Sequence, residues 1–133
     1  MYLDKELLPS GWGKIVDEAN EKLETLMSAN PMFELQTEQL KEKFGEITWY
    51  YTCSPQIANQ VDAINDQLVK ASQHTCEFCG NPAEYITKGG WITRRCYDCA
   101  ELERLRYEEA DGKLYTMDSI FNPIDRHPMD EQI

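Results

Sequence analysis

Residues 74–99 read HTCEFCGNPAEYITKGGWITRRCYDC, and the fold turns on how their cysteines are used. Cys76 and Cys79 form one C-x2-C pair, Cys96 and Cys99 another, with sixteen residues between the pairs. Paired thiols can hold a metal, close disulfides or exchange electrons. The spacing C-x2-C-x16-C-x2-C is that of a tetrahedral zinc ribbon. Two intervening residues let a tight knuckle set both sulfurs ~3.7 Å apart, the edge of a tetrahedron built on Zn–S bonds of ~2.3 Å. Gly80, directly after Cys79, can take positive φ and turn its amide toward a thiolate. Between the knuckles, Tyr85–Lys88 and Trp91–Arg94 flank Gly89-Gly90, a two-residue turn suited to a type I′ hairpin. That turn sets Lys88 opposite Trp91, Ile86 opposite Thr93, Tyr85 opposite Arg94 and Glu84 opposite Arg95. Arg94 and Arg95 thereby gain local partners. The run AELERLRYEE after Cys99 is helix-prone and would place anionic sulfur near a helix N-terminus.

Four thiolates fill a zinc shell and leave no position for a reactive water, so the expected Zn2+ is structural and the protein is not expected to be an enzyme. A deaminase site needs H-x-E before its P-C-x-x-C, a pattern this chain lacks. A thioredoxin-like site needs one C-x-x-C in a βαβ setting. Cys53, the fifth cysteine, reads as a small inert hydrophobe, and His74 as an ordinary exposed histidine. The ribbon is too short to bury a core of its own, so the metal stands in for one.

Upstream, residues 11–30 read as an amphipathic helix. Ile15, Val16, Ala19, Leu23, Leu26 and Met27 recur at helical spacing, with Asp17, Glu18, Glu21 and Glu24 on the other side. Ser10 is the expected N-cap, and Asn30-Pro31 the stop. Phe33, Leu35 and Thr37, then Ile47, Trp49 and Tyr51, alternate with polar residues as two half-buried strands. The connection KEKFGE carries Gly45, which favours an antiparallel pair. Ser54-Pro55 opens a second helix over about 55–72, with Ile57, Val61, Ile64 and Leu68 on one face. The expected fold class is α+β: a small helix-hairpin-helix layer over 1–72, a four-thiolate zinc ribbon plus short helix over 73–107, and an acidic tail over 108–133. The tail is expected to strap across the body or to be partly disordered; if free, Ile120, Phe121 and Ile124 would form a docking peptide.

Three blocks, GWGKIVDEANEKLE, LKEKFGEITWYY and TCEFCGNPAEYITKGGWITRRCYDCA, resemble a set of uncharacterised small zinc-ribbon proteins of bacteria and their phages. These share a Gly-Trp helix, a Lys-Glu-Lys-Phe-Gly hairpin and a terminal C-x2-C-G…G-W…C-x2-C. The resemblance spans about residues 11–104. It implies the four cysteines as metal ligands and implies no activity. Glu46 stands where that set often has a second glycine, and the tail past residue 108 lies outside it.

Charge bears on partners. The 133-residue chain has 13 Lys and Arg against 24 Asp and Glu, a net charge of -11. Residues 1–70 carry a net of -6, residues 108–133 a net of -5, and the cysteine segment between them is neutral. Such a field repels phosphate backbones and attracts basic proteins. The leading expectation is a protein-binding module, of the kind that covers a basic nucleic-acid-binding surface on a host nuclease or defence complex. The alternative is a nucleic-acid-binding ribbon using Lys88, Trp91, Arg94 and Arg95. The first residues lack the basic and apolar regions of a signal peptide and no run is long enough to span a membrane, so a cytoplasmic protein is expected.

Overall fold

The computed structural model describes residues 2–87, 92–102 and 121–123. Helix α1 spans Gly13–Ala29, strands β1 and β2 span Leu35–Lys43 and Glu46–Cys53, and helix α2 spans Ala58–Gln73. Three short strands follow: β3 (Tyr85–Thr87), β4 (Arg94–Arg95) and β5 (Phe121–Pro123). The chain is thus a mixture of helices and small sheets, the α+β class. Among the described residues no helix is long and apolar enough to cross a membrane.

The apolar stripe of α1 packs as its periodicity requires, with Val16, Ala19 and Leu23 buried beside Trp12. Val61 and Leu68 of α2, Leu40, Ile47 and Trp49 of the hairpin, and Ile57 complete the cluster. The N-terminal segment, which sequence reading passed over, is part of it: Leu3 and Leu8 are buried. Asn20, itself buried, holds Leu3 in place by accepting its N–H at 3.0 Å and donating to its carbonyl at 2.9 Å. Burying each Leu-sized side chain contributes about 2 kcal/mol, so these contacts outweigh weak local capping.

Caps are where the expectation fails. Each helix is entered through a 3-10 turn, Ser10–Trp12 before α1 and Pro55–Ile57 before α2. Ser10 lies inside its 3-10 turn, not at the N-cap, while Ser54 holds the expected N-cap position but makes no side-chain cap bond. Ser10 Oγ donates to Phe78 O at 3.5 Å, and Ser54 Oγ accepts from Glu34 N at 2.8 Å. Both hydroxyls face tertiary partners, a long contact for Ser10 and a normal hydrogen bond for Ser54.

In the hairpin, Leu35 pairs with Cys53 and Thr37 with Tyr51, after which the register shifts so that Gln39 meets Tyr50 and Leu40 meets Trp49. Glu38 is the extra residue of a β-bulge. The bulge reverses side-chain parity along β1, so Leu35 and Thr37 before it and Leu40 after it share the inner side. Plain alternation would have turned Leu40 outward. The connection is Phe44-Gly45, both left-handed at φ 56° and 77°, as a two-residue type I′ turn requires. A residue with a β-carbon costs ~1–2 kcal/mol there. Glu46 opens β2 opposite Lys43 and accepts from Gln73 Nε2 at 2.6 Å.

The second sheet has the order β4-β3-β5, all antiparallel. Of the tail, the backbone of Phe121–Pro123 lies against β3 as an edge strand. Ile120, Ile124 and the rest of 103–133, the expected docking peptide and acidic tail among them, lie outside the described residues.

Candidate metal centre

The first knuckle grows out of the end of α2. Thr75 and Pro82 form an isolated antiparallel bridge that closes the loop carrying Cys76 and Cys79. Within it Cys76 N donates to Asn81 O at 2.7 Å, and Gly80 N to Cys76 O at 3.1 Å. Gly80 has the expected positive φ, 81°, but its amide serves the Cys76 carbonyl, not a sulfur. The second knuckle leads into helical residues 97–102, where Cys99 N donates to Cys96 Sγ at 3.4 Å. That amide-to-sulfur bond is the local device that orients a thiolate ligand.

The ligand atoms of Cys76, Cys79, Cys96 and Cys99 all lie within 4.8 Å of one another, and Cys79 Sγ is 3.4 Å from Cys96 Sγ. These separations bracket the ~3.7 Å edge of a tetrahedral four-sulfur shell. Four soft donors at this spacing fit a zinc ion. Cys76 and Cys96 are buried, Cys99 is half-buried and Cys79 is exposed.

The electrostatics point the same way. Burial opposes ionisation of Cys76, but the amides of Cys79, Cys96 and Phe78 bring its pKa down to about 7. Burial raises Cys96 and Cys99, and the Cys76 charge pushes both in the same direction. One thiolate therefore forms readily and opposes the next. A divalent cation between the sulfurs reverses that repulsion and lets the whole set ionise.

The knuckle is clamped to the α+β layer by contacts that have no local sequence signal. Gly11 N donates to Glu77 O at 2.8 Å, and the buried Trp12 donates from Nε1 to Thr75 O at 3.0 Å. The approach is so close that a β-carbon on Gly11 would lie 2.2 Å from Cys76 O. The Gly-Trp pair at the head of α1 is thus the seat of the first knuckle. From the other side, Arg94 Nε donates to Gly45 O at 2.8 Å and Nη1 to Gln73 O at 3.0 Å, tying β4 to the first hairpin and to the end of α2. Buried Glu77 completes the junction: its Oε2 accepts from Arg94 N at 2.5 Å, and burial lifts its pKa to about 7.

The ribbon register needs correction. Tyr85 pairs with Arg95 and Ile86 with Arg94, one residue displaced from what a two-residue Gly89-Gly90 turn would set. The connecting residues 88–91, Lys88 and Trp91 among them, lie outside the described residues. The side-chain partners change accordingly. Arg94 reaches the backbone carbonyls just named in place of the Tyr85 ring, while the buried Arg95 stacks its guanidinium 3.3 Å from the centroid of Phe78. Arg95 Nε also donates to Thr93 Oγ1 at 3.1 Å. Tyr85 instead packs near Tyr97, with ring centroids 6.1 Å apart.

His74 sits at the C-cap of α2, half-buried, and its carbonyl accepts from Ala83 N. It does not join the thiol cluster. Cys53 is half-buried at the end of β2, where with Tyr2, Met27, Phe33 and Leu35 it lines a cleft of about 620 Å³. Comparison of the chain with protein-family models, curated proteins and solved structures finds no match.

Proposed function

We propose that this protein is a non-enzymatic, zinc-stabilised binding module that engages a basic protein surface through its acidic exterior. The observation that supports this most directly is where the acid lies. Helices α1 and α2 pack side by side and expose Asp17, Glu18, Glu21, Glu24, Asp62 and Asp66. Their exposed cations are Lys14, Lys22 and Lys70, which leaves the pair of helices negative. A structural ion suits that role: a shell of four thiolates has no position for substrate, and the work passes to the surface that the ion keeps in shape. A surface of this charge fits the nucleic-acid-binding groove of a host protein, a nuclease or a defence complex, whose basic residues would meet carboxylates in place of phosphates.

Direct binding of nucleic acid has less support. Among the described residues, the two ribbon arginines of that reading, Arg94 and Arg95, are committed to Gly45, Gln73, Thr93 and Phe78. A gel shift at low salt separates the two readings, because nonspecific phosphate binding is strongest there. The decisive test reverses Asp17, Glu18, Glu21 and Glu24 to Lys and measures capture of protein partners at increasing salt. Loss of a salt-sensitive partner is expected. A partner that still binds the reversed chain with the same affinity refutes the proposal.

A further inference from the structure

Cys79 differs from the other thiols of the cluster in its access to solvent. It is exposed, whereas Cys76 and Cys96 are buried and Cys99 is half-buried. A hydroperoxide arriving from solution meets the Cys79 sulfur first, because oxidation of a thiolate follows its exposure. On the other knuckle, Cys96 Sγ stands 3.4 Å from it. The residues that precede these two cysteines clasp one another: the Arg95 guanidinium lies 3.3 Å from the centroid of the Phe78 ring. Arg95 is buried and its Nε donates to Thr93 Oγ1, so the clasp is anchored in the ribbon. It is made of side chains alone and holds the Cys79 and Cys96 ends of the knuckles together whatever the sulfurs bind. A disulfide sets its sulfurs about 2.05 Å apart, so this pair has to close by ~1.4 Å. Cys76, the other thiol of the first knuckle, is the weaker competitor, since the amides of Cys79, Cys96 and Phe78 donate to its sulfur and draw off charge.

We propose that Cys79 is a site of oxidation by hydroperoxide and Cys96 its resolving partner, so that the metal shell is exchanged for a disulfide across the two knuckles. The Cys79 thiolate attacks hydrogen peroxide; the O–O bond breaks, sulfur takes one hydroxyl as a sulfenic acid, and hydroxide leaves. The Cys96 thiolate then attacks the Cys79 sulfur and expels the second hydroxide. The two sulfurs have given up one electron each, and the peroxide oxygens have taken both. Cys76 and Cys99 alone hold a divalent ion weakly, so the ion is released. A thiol reductant returns the electrons and restores four donors. One peroxide is consumed per chain, so the step is a switch and no catalytic cycle. The proposal rests on the reading of the four thiols as a zinc site and adds a modification site within it.

The test treats the zinc-loaded full chain with hydrogen peroxide, follows released zinc with a chromophoric chelator, quenches by alkylation and maps the linkage by mass spectrometry after trypsin. Trypsin separates the knuckles into residues 71–88 and 96–104, so a link across them joins two peptides and a link within either one does not. Fragmentation of the joined pair is expected to show Cys79 bonded to Cys96, with Cys76 and Cys99 alkylated. This product should exceed any other singly linked form at least about tenfold, with one zinc released per disulfide and regained on reduction with added zinc. A first disulfide within a knuckle, or one that joins the knuckles through Cys76 or Cys99, overturns the proposal. So does peroxide that leaves zinc bound and all four thiols open to alkylation on denaturation. A chain that carries no zinc before treatment refutes the metal reading itself, whereas a zinc-loaded chain with another linkage refutes this proposal alone.

Discussion

Replacing Gly11 with alanine adds one methyl group at the point where the first knuckle meets the head of α1. The new β-carbon would lie 2.2 Å from Cys76 O, 2.5 Å from the Glu77 carbonyl carbon and 2.7 Å from Glu77 O. Ordinary contact begins near 3.4 Å, and the atoms in the way are backbone, which cannot swing aside as a side-chain tip would. The knuckle must therefore retreat by about an ångström, stretching the Gly11 N–Glu77 O bond and straining that from Trp12 Nε1 to Thr75 O. Overpacking of this kind costs ~1–3 kcal/mol and a lost internal hydrogen bond ~1 kcal/mol, together ~2–4 kcal/mol. Against a total stability of ~5–15 kcal/mol that is a large fraction. Thermal unfolding of the zinc-loaded protein should show Tm falling by ~8–16 °C, and competition with a chromophoric chelator should show zinc affinity falling ~tenfold or more. Gly13→Ala is the control, since a β-carbon there meets nothing nearer than Lys5 Cδ at 3.9 Å inside a helix. It should leave Tm unchanged or raise it slightly. If Gly11→Ala matches Gly13→Ala in both Tm and zinc affinity, the knuckle does not seat on Gly11 and the coupling argued above is wrong.

Removing zinc with a chelator at neutral pH is expected to abolish much of the near-UV circular dichroism, including the Trp12 contribution, while far-UV helix signal is largely kept. An unchanged near-UV spectrum in zinc-free protein would contradict this. Arg94→Ala strips two donors from the carbonyls of Gly45 and Gln73 and should cost ~2–4 kcal/mol in urea unfolding, whereas a cost below ~0.5 kcal/mol would show the clamp to be incidental. Asn20→Ala leaves the amide and carbonyl of Leu3 unpaired in the core and should cost ~2–3 kcal/mol, with hydrogen exchange accelerating at Leu3. Unaltered exchange at that amide would refute the assignment.

The features legible in the sequence are those fixed by short-range rules. A tetrahedral shell dictates C-x2-C, so the clustering of all four cysteines was readable. The stripes of α1 and α2 were readable because helical geometry repeats every three to four residues. Positive φ at Gly80 followed from its place after Cys79. What was not readable depends on partners distant in the chain. Gly11 meets Cys76 and Glu77 across more than sixty residues, and nothing near Gly11 signals it. Ser10 and Ser54 have the composition of caps, but tertiary partners claim both hydroxyls. The bulge at Glu38 breaks the alternation on which strand reading relies, and so concealed Leu40 as a core residue. In the ribbon, Gly89-Gly90 suggested a register that the pairing of Tyr85 with Arg95 displaces by one residue, which redirected both arginines. Phe44 was visible only as part of a turn, because its left-handed φ is a property of the folded backbone.

The account stands most directly on the ligand shell, and X-ray absorption at the zinc edge reads that shell. With metal content measured on the same sample, the expected result is one zinc per chain surrounded by four sulfurs at ~2.3 Å, with Cys→Ser at 76, 79, 96 or 99 each disrupting it. A shell containing an oxygen or nitrogen scatterer, or one that survives loss of any of these cysteines unchanged, would mean that the ion is not closed off by these thiols.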